Sequence, residues 1–321
     1  MRKVQTGLVA LLLAGTASAA LADTVKLGLQ PWLGYGPLWI AEEKGFFADH
    51  GVDVALSNFN WDADMTAALA AGNLDVIAAG TNAMIAAQNA GVDQTAFLVM
   101  DLSFEADAII APDSMSSIKD LAGHKVAFET GATSDLLMNY ALKVNGMRLA
   151  DIEHVPMGAS EAGLALLSGN VEAAVTYEPY ISAALNKSEG FKVLYTAAEK
   201  PGLISDVLTA RGDWLAAHPA EAAGIVAAWD DAVKFIRNNP EEGGALIARA
   251  VGSPMEEFAP AFAGVRLYDA AENMAFLSGD FQQTLTEIGA IMMETNPDEI
   301  TRIPTEDELL DLGALKAVTG Q

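Results

Sequence analysis

Short apolar runs and helical segments alternate along the first two-thirds of the chain, and this alternation limits the possible folds more than any other feature. Continuous apolar strands connected by helices predict a mostly parallel sheet that is covered by helices. In the first series, strands are predicted at residues 25–29, 52–56, 74–79 and 95–100, with helices between them.

A second series starts at residue 107, and the chain beyond residue 210 is predicted to be helical. Its strands are predicted at residues 107–111, 125–128, 152–155, 173–177 and 191–194. Two such series predict two α/β lobes with a cleft between them, and chain crossings near residues 105–111 and 205–210. We therefore expect residues 23–106 and 210–321 to form lobe 1, and residues 107–209 to form lobe 2.

The N-terminus has the pattern of a secretory signal peptide over residues 1–22. Arg2 and Lys3 precede an apolar run at 8–14, and small residues follow it. Cleavage is expected after Ala22, with Ala19 as the alternative. The chain has no cysteine, so stability has to come from the core, and no lipid can be attached at a mature N-terminal cysteine. These features predict a soluble protein of a bacterial periplasm.

Acidic residues exceed basic residues by 43 to 18, which gives a formal net charge of −25. A surface of this charge repels nucleic acid and anionic lipid, so we expect neither as a partner. The charge says little about what a recessed pocket binds.

No arrangement of residues typical of an enzyme is present in the sequence. The four histidines are scattered without metal-ligand spacing, and there is no P-loop, dinucleotide fingerprint or nucleophile elbow. His154 lies in a predicted strand and is interpreted as structural. We therefore predict a protein without catalytic residues, metal or cofactor.

The segment PWLGYGPLWIAEEKGFF, at residues 31–47, forms the first predicted turn from strand to helix. Pro37 suits the first position of a helix, and Gly45 suits its C-terminal end. Ligands of open α/β sheets bind at this edge, beyond the carboxyl ends of the strands. Trp32 and Tyr35 are therefore candidates for ligand contact, with burial in the core as the alternative, whereas Trp39 is assigned to the core.

Hydroxylic and small residues recur at two predicted helix starts, one in each lobe. Thr81 and Asn82 open one helix, and Thr133 and Ser134 open the other. Free N–H groups and the helix dipole at such a start can hold an anionic group. Ordinary N-capping is the alternative explanation for these residue types.

Acidic and aromatic residues mark the same edges of the predicted sheets. Trp61 precedes Asp62, Glu178 follows Tyr177, and Asp206 lies between apolar residues at the second crossing. No Lys or Arg accompanies these stretches, so a ligand with a cationic end fits better than a simple anion. The aromatic rings would then be available for cation–π contact.

Five stretches carry a resemblance to a known family. They are GYGPLWIAEEKGFF from Gly34, ALAAGNLDVIAAGTNAMIAA from Ala68, SIKDLAGHKVAFETGATSDLL from Ser117, LLSGNVEAAVTYEPY from Leu166 and ISDVLTARGDWLAAHP from Ile204. The chain resembles the periplasmic substrate-binding proteins of nitrate, sulfonate and taurine ABC importers. The resemblance implies a two-lobed fold of the type II (Venus flytrap) class. It also implies a monomer that delivers a small solute to a membrane permease driven by a separate ATPase.

The resemblance also implies which residues contact the ligand. These candidates are Trp32, Tyr35, Thr81, Asn82, Thr133, Ser134, Tyr177, Glu178 and Asp206, and Trp61 is added to them because it lies beside Asp62 at the same edge. Asp206 matches an acid that holds the ligand amine in taurine-type members, so a taurine-like zwitterion is the expected ligand. The basic residues of nitrate and bicarbonate binders and the first-turn motif of pyrimidine-precursor binders are missing. A different small organic solute, or a role as ligand-sensing partner of a membrane sensor, remains the alternative.

Overall fold

The computed structural model describes residues 24–187 and 190–321, and the predicted signal peptide at residues 1–22 lies outside them. The strands are β1 Val25–Leu29, β2 Val54–Asn58, β3 Val76–Gly80, β4 Thr95–Ser103, β5 Asp107–Pro112, β6 Lys125–Phe128, β7 Glu153–Pro156, β8 Ala173–Tyr177, β9 Phe191–Thr196, β10 Ser205–Ala210 and β11 Val265–Leu267. They form two sheets, one for each lobe.

The helices follow the strands in sequence and then fill the C-terminal third of the chain. They are α1 Gly36–Lys44, α2 Phe46–Asp49, α3 Asp62–Ala70, α4 Thr81–Asn89, α5 Thr133–Val144, α6 Ala159–Leu167, α7 Tyr180–Lys187, α8 Gly212–Ala217, α9 Pro219–Asn238, α10 Pro240–Val251, α11 Met255–Phe262, α12 Ala270–Leu277, α13 Asp280–Thr295, α14 Glu306–Leu309 and α15 Gly313–Thr319. Gly45 ends α1 in the left-handed conformation, at φ 78°, as the sequence predicts.

Both sheets are mixed. The sheet of lobe 1 has the order β11-β4-β10-β3-β1-β2, in which β1 runs parallel to β2 and β3, while β10 and β11 are antiparallel to their neighbours. The sheet of lobe 2 has the order β7-β6-β8-β5-β9, and only β5 runs against the other four strands. Most strands of each sheet point in one direction, but five of the nine neighbouring pairs are antiparallel, so the predicted α/β class is confirmed and the sheets are mixed.

The second crossing between the lobes lies earlier than the sequence analysis places it. Strand β10 pairs with β3 and β4 in the sheet of lobe 1, whereas the predicted boundaries assign residues 205–209 to lobe 2. The apolar run at 207–210 forms most of this strand, but its partners are distant in sequence and could not be read from a local pattern. We propose that the chain crosses at residues 104–106 and 197–204.

The C-terminal helices complete lobe 1, as predicted. The fully buried Trp229 of α9 donates a hydrogen bond from Nε1 to the backbone oxygen of Tyr268, at 2.8 Å. Asn273 of α12 is likewise buried and bonds both the N–H and the carbonyl of Val99 in β4, which fastens the helix to the sheet. The short strand β11 interrupts the region that was predicted to be helical.

Helix α13 reaches from lobe 1 to lobe 2, which the sequence analysis did not anticipate. Lys143 of α5 forms an ion pair with Glu294 at 2.5 Å, and Asn296 donates a hydrogen bond to Asp135 at 3.3 Å. The C-terminal region thus contacts the second lobe as well as the first. None of the helices in the described part of the chain is long and apolar enough to cross a membrane.

Candidate ligand-binding site

The first strand-to-helix turn places an indole group over a buried carboxylate. After β1 ends at Leu29, a single 3-10 turn at Leu33–Tyr35 leads into α1. Trp32 Nε1 lies 3.2 and 3.3 Å from the two carboxylate oxygens of Asp101 on β4 and donates to them. A Cβ atom at Gly34 would lie 2.1 Å from Asp101 Oδ2 and 2.3 Å from Trp32 Nε1. Glycine is therefore needed at this position for the two side chains to meet.

A second carboxylate lies beside the first. Asp206 on β10 is paired in register with Asp101 on β4 and with Gly80 on β3. Residues opposite one another on adjacent strands share a face of the sheet, so the two carboxylates are neighbours. Because Gly80 has no side chain, Thr133 Cγ2 and Asn82 Oδ1 can approach the sheet beside Asp206.

Asp206 is buried without a counter-charge. Its side chain is 4% exposed, and its Oδ1 has no hydrogen-bond partner within the described residues. Burial raises the pKa of the Asp206 carboxyl well above its usual range, and the nearby charge of Asp101 raises it further. A buried polar atom that is left without a partner is destabilising, so this oxygen is suited to accept a hydrogen bond from a ligand.

Aromatic rings from both lobes surround the two carboxylates. The Trp32 ring of lobe 1 meets the Tyr177 ring of lobe 2 edge to face, with centroids 5.6 Å apart, and Tyr177 meets Tyr180 at 5.5 Å. Burial raises the pKa of Tyr35 well above its usual value, with a further contribution from the charge of Asp206. The phenol of Tyr35 therefore stays neutral and can act as a hydrogen-bond donor.

A carboxylate of lobe 2 caps a helix of lobe 1. Glu129, which follows β6, accepts hydrogen bonds from the backbone N–H of Asp62 at 2.7 Å and of Ala63 at 3.4 Å, at the start of α3. Its Oε2 has no partner in the described structure, and the residue is 1% exposed. Burial, together with the charge of Asp62, raises the pKa of Glu129 to about 8, and burial raises that of Asp62 to about 7.

The starts of α4 and α5 also meet across the cleft. Asn82 Nδ2 donates to the backbone oxygen of Gly131 at 2.9 Å. A Cβ atom at Gly80 would lie 2.6 Å from Thr133 Cγ2 and 2.7 Å from Asn82 Oδ1. The two lobes are therefore in van der Waals contact here, and the structure is that of a closed cleft.

We expect Gly80→Ala to hinder this closure. The added methyl group has to displace the Thr133 methyl group or the Asn82 amide, so ligand affinity should fall by ~5- to 30-fold, the equivalent of about 1–2 kcal/mol of overpacking. Combining it with Thr133→Ser, which removes Cγ2, should restore part of the affinity. Calorimetric titration of both variants checks this. Equal affinities of the single and the double variant would show that the contact does not limit closure.

The structure brings some of the candidate residues together and leaves others at the edge. Trp32, Tyr35, Tyr177 and Asp206 lie around one centre. Trp61 lies apart from it, with Nε1 3.5 Å from the position that a Cβ atom of Gly158 in lobe 2 would occupy.

Three further candidates have partners within the protein. Thr81 Oγ1 is 2.8 Å from Ser205 Oγ, and Ser134 Oγ accepts from the backbone N–H of Glu129 at 3.1 Å. Glu178 accepts from both the N–H and the hydroxyl of Ser182 at 3.0 Å, which caps the first turn of α7. Thr81 and Ser134 do not cap their own helices, because α4 and α5 have no side-chain N-cap hydrogen bond and the partners of both hydroxyl groups lie outside the helices.

Sequence reasoning missed Asp101 and Glu129 as site residues. Both share one local feature, because each is an acid placed within or directly after an otherwise apolar strand, but this feature alone does not rank them above other acids. Asp107 at the start of β5 is a third buried acid nearby, and burial raises its pKa to about 7. His154 is structural, as predicted, since it stacks on Phe128 and its Nε2 lies 3.0 Å from the Phe128 backbone oxygen.

A groove of about 550 Å³ between α3 and α4 reaches the edge of this region. Its walls are mainly alanine side chains, and it meets the site only at Asp62, Thr130 and Gly131. Within residues 24–187 and 190–321, no group of His, Asp or Glu side chains has the arrangement of a metal site.

Two lobes joined by two crossings, with an enclosed polar site between them, define a binding protein of the periplasmic type II fold. A solved structure with this fold is the periplasmic aliphatic sulphonate binding protein SsuA from Escherichia coli, with a TM-score of 0.70 and 22% identity over 94% of this chain and 100% of that one. The chain belongs to the NMT1-like family, whose model matches residues 18–251.

Two curated relatives from Escherichia coli K12 agree with this assignment. One, provisionally named an aliphatic sulfonates-binding protein, is 32% identical over 192 residues, which are 59% of this chain and 60% of that protein. The other, a taurine-binding periplasmic protein, is 23% identical over 269 residues, or 80% and 83% of the two chains. The match to a family of binding proteins supports the prediction that the chain is not an enzyme.

Proposed function

We propose that this protein is the periplasmic solute receptor of an ABC importer, and that it clamps a small organic solute with a cationic group between its lobes. The taurine-like aminosulfonate expected from the sequence is one member of this class, and the names of the relatives favour it. The enclosed solute would then be delivered to a membrane permease with its ATPase.

The observation that carries the proposal is the unpaired Oδ1 of Asp206, which is buried beside Asp101. A buried carboxylate without a counter-charge is unfavourable unless it is protonated or meets a cation. A ligand ammonium group at this position would supply both the hydrogen bond and the charge. The rings of Trp32 and Tyr177 would add cation–π contact.

A thermal-shift panel tests this function directly. It would contain taurine, simple amines, betaines, alkyl sulfonates, nitrate and pyrimidines. A true ligand at 100 times its dissociation constant should stabilise the closed protein by ~2.7 kcal/mol. Stabilisation by compounds that carry a cationic nitrogen is the expected result, whereas stabilisation by plain alkyl sulfonates alone would contradict the proposal.

A further inference from the structure

We propose that the ligand of this cleft is an organic cation without an anionic group, so that the site selects against the sulfonate end of a taurine-like zwitterion. This inference rests on the proposed function and narrows its ligand class. It follows from three features of the cleft: its buried acids, its unpaired carboxyl oxygens, and its aromatic rings.

The charge of the interior is entirely of one sign. Within the described part of the chain, eight charged side chains are buried, and all of them are acids: Asp62, Asp101, Asp107, Glu129, Asp135, Glu178, Asp206 and Asp230. Only Asp230 has a basic partner, Lys234, and it lies on α9 away from the cleft. No buried Lys or Arg among these residues is available to hold a sulfonate.

Two buried carboxylate oxygens of the cleft have no partner in the described structure. Asp206 Oδ1 belongs to lobe 1 and Glu129 Oε2 to lobe 2, in residues that are 4% and 1% exposed. In the ionised form, which a bound cation favours, both are acceptors, so a ligand that satisfies them in that form has to bring donors. An ammonium or a similar nitrogen cation brings donors and charge together, whereas a sulfonate brings only acceptors.

Three of the donors near the helix starts of the cleft are used within the protein. The N–H groups at the start of α3 donate to Glu129, and the Asn82 amide at the start of α4 donates to Gly131. Near the start of α5, the Gly131 N–H donates to Asp135 at 3.0 Å. At the starts of α3 and α5, a sulfonate would have to replace the carboxylate of Glu129 or Asp135 while lying close to other acids. Like charges brought together in this way disfavour binding.

The aromatic rings of the cleft also favour a cationic ligand. Trp32 and Tyr177 pack edge to face, at 82°, and the Trp32 indole nitrogen donates to Asp101, so the two rings lie beside the buried acids. An aromatic face attracts a cation through the ring quadrupole and repels an anion.

The test compares probes that differ in charge at matched size. Ethylammonium, taurine and ethanesulfonate share a two-carbon chain and differ in charge. Guanidinium can donate hydrogen bonds to the carboxylates, whereas tetramethylammonium can be held only by its charge and by contact with the aromatic rings. Calorimetric titration should show at least one cation binding ~10-fold or more tightly than taurine, and no binding of ethanesulfonate. Taurine binding more tightly than every cation would overturn this inference and leave the proposed function intact. Binding of none of the compounds would overturn the proposed function itself.

A pair of charge-neutralising variants gives a second readout. If the carboxylates reject the sulfonate, Asp101→Asn and Glu129→Gln should each lower the affinity ratio of cation to taurine by several-fold. Asp230→Asn is the matched control, since it neutralises a buried acid outside the cleft and should leave the ratio unchanged. An unchanged ratio in both cleft variants would contradict the inference even if the cations bind well.

Discussion

Asp206→Asn is expected to lower the affinity for the ligand by ~10- to 100-fold, because it removes a charged hydrogen bond typically worth about 1.5–3 kcal/mol. The ligand-free protein should stay folded and become slightly more stable. The substitution keeps the volume and replaces a buried group whose ionised form is disfavoured by burial and by Asp101. Calorimetric titration with the best compound of the panel and thermal unfolding without ligand measure the two effects.

The control is the same Asp-to-Asn substitution at Asp230, a buried acid that has partners within the protein. Asp230 accepts a hydrogen bond from the backbone N–H of Ala270 at 2.9 Å and forms an ion pair with Lys234. Asp230→Asn should therefore reduce stability and leave ligand affinity unchanged, the reverse of the pattern at Asp206. If Asp206→Asn binds the ligand as tightly as the unsubstituted protein, the acid is only structural and a cationic ligand loses its main support.

The ligand-free protein should lose stability as the pH rises from about 4 to 8. Burial gives Glu129 a pKa of about 8 and Asp62 a pKa of about 7 in the folded protein, above the values of 4.5 and 3.8 expected in an unfolded chain. Between these values the folded state binds more protons than the unfolded state, so the free energy of unfolding falls as the pH rises. The stabilisation is complete below pH 4 and is lost as the pH passes 7 to 8. A loss on the order of a few kcal/mol is expected, at about 1.4 kcal/mol per pKa unit.

Glu129→Gln separates this effect from the general repulsion of an acidic surface. The amide oxygen of glutamine can still accept from the N–H groups at the start of α3, but it does not titrate. Chemical unfolding at a series of pH values should give a flatter dependence for the variant than for the unsubstituted protein. Parallel curves would show that Glu129 titrates normally and that the contact between the lobes is not a source of pH dependence.

The local pattern of apolar runs and turn residues was sufficient to predict many of the strands. The strands at 25–29, 125–128 and 173–177 have the predicted bounds, because their apolar runs end at turn residues that the sequence shows. The sheet to which β10 belongs could not be predicted from the local pattern. Its apolar residues are equally compatible with either sheet, and only contacts with β3 and β4, more than 100 residues away, decide the matter.

The candidate site shows the same division between local and distant information. Trp32, Tyr35 and Asp206 could be selected from their positions beside turns and crossings. Asp101 and Glu129 could not be ranked above other acids, because their importance comes from partners in distant segments. The helix starts at Thr81 and Thr133 were located correctly, but which donors remain free after the lobes close is a property of the tertiary structure.

The placement of Asp101 and Asp206 on one sheet has a kinetic consequence. Both carboxylates and the Trp32 indole belong to lobe 1, so an open protein already presents them as one preassembled surface. Lobe 2 adds Tyr177 and the Glu129 contact only on closing. The order of events is then capture by lobe 1 followed by enclosure. The residues of the sheet govern how fast a solute is taken up, and the contacts between the lobes govern how long it is held.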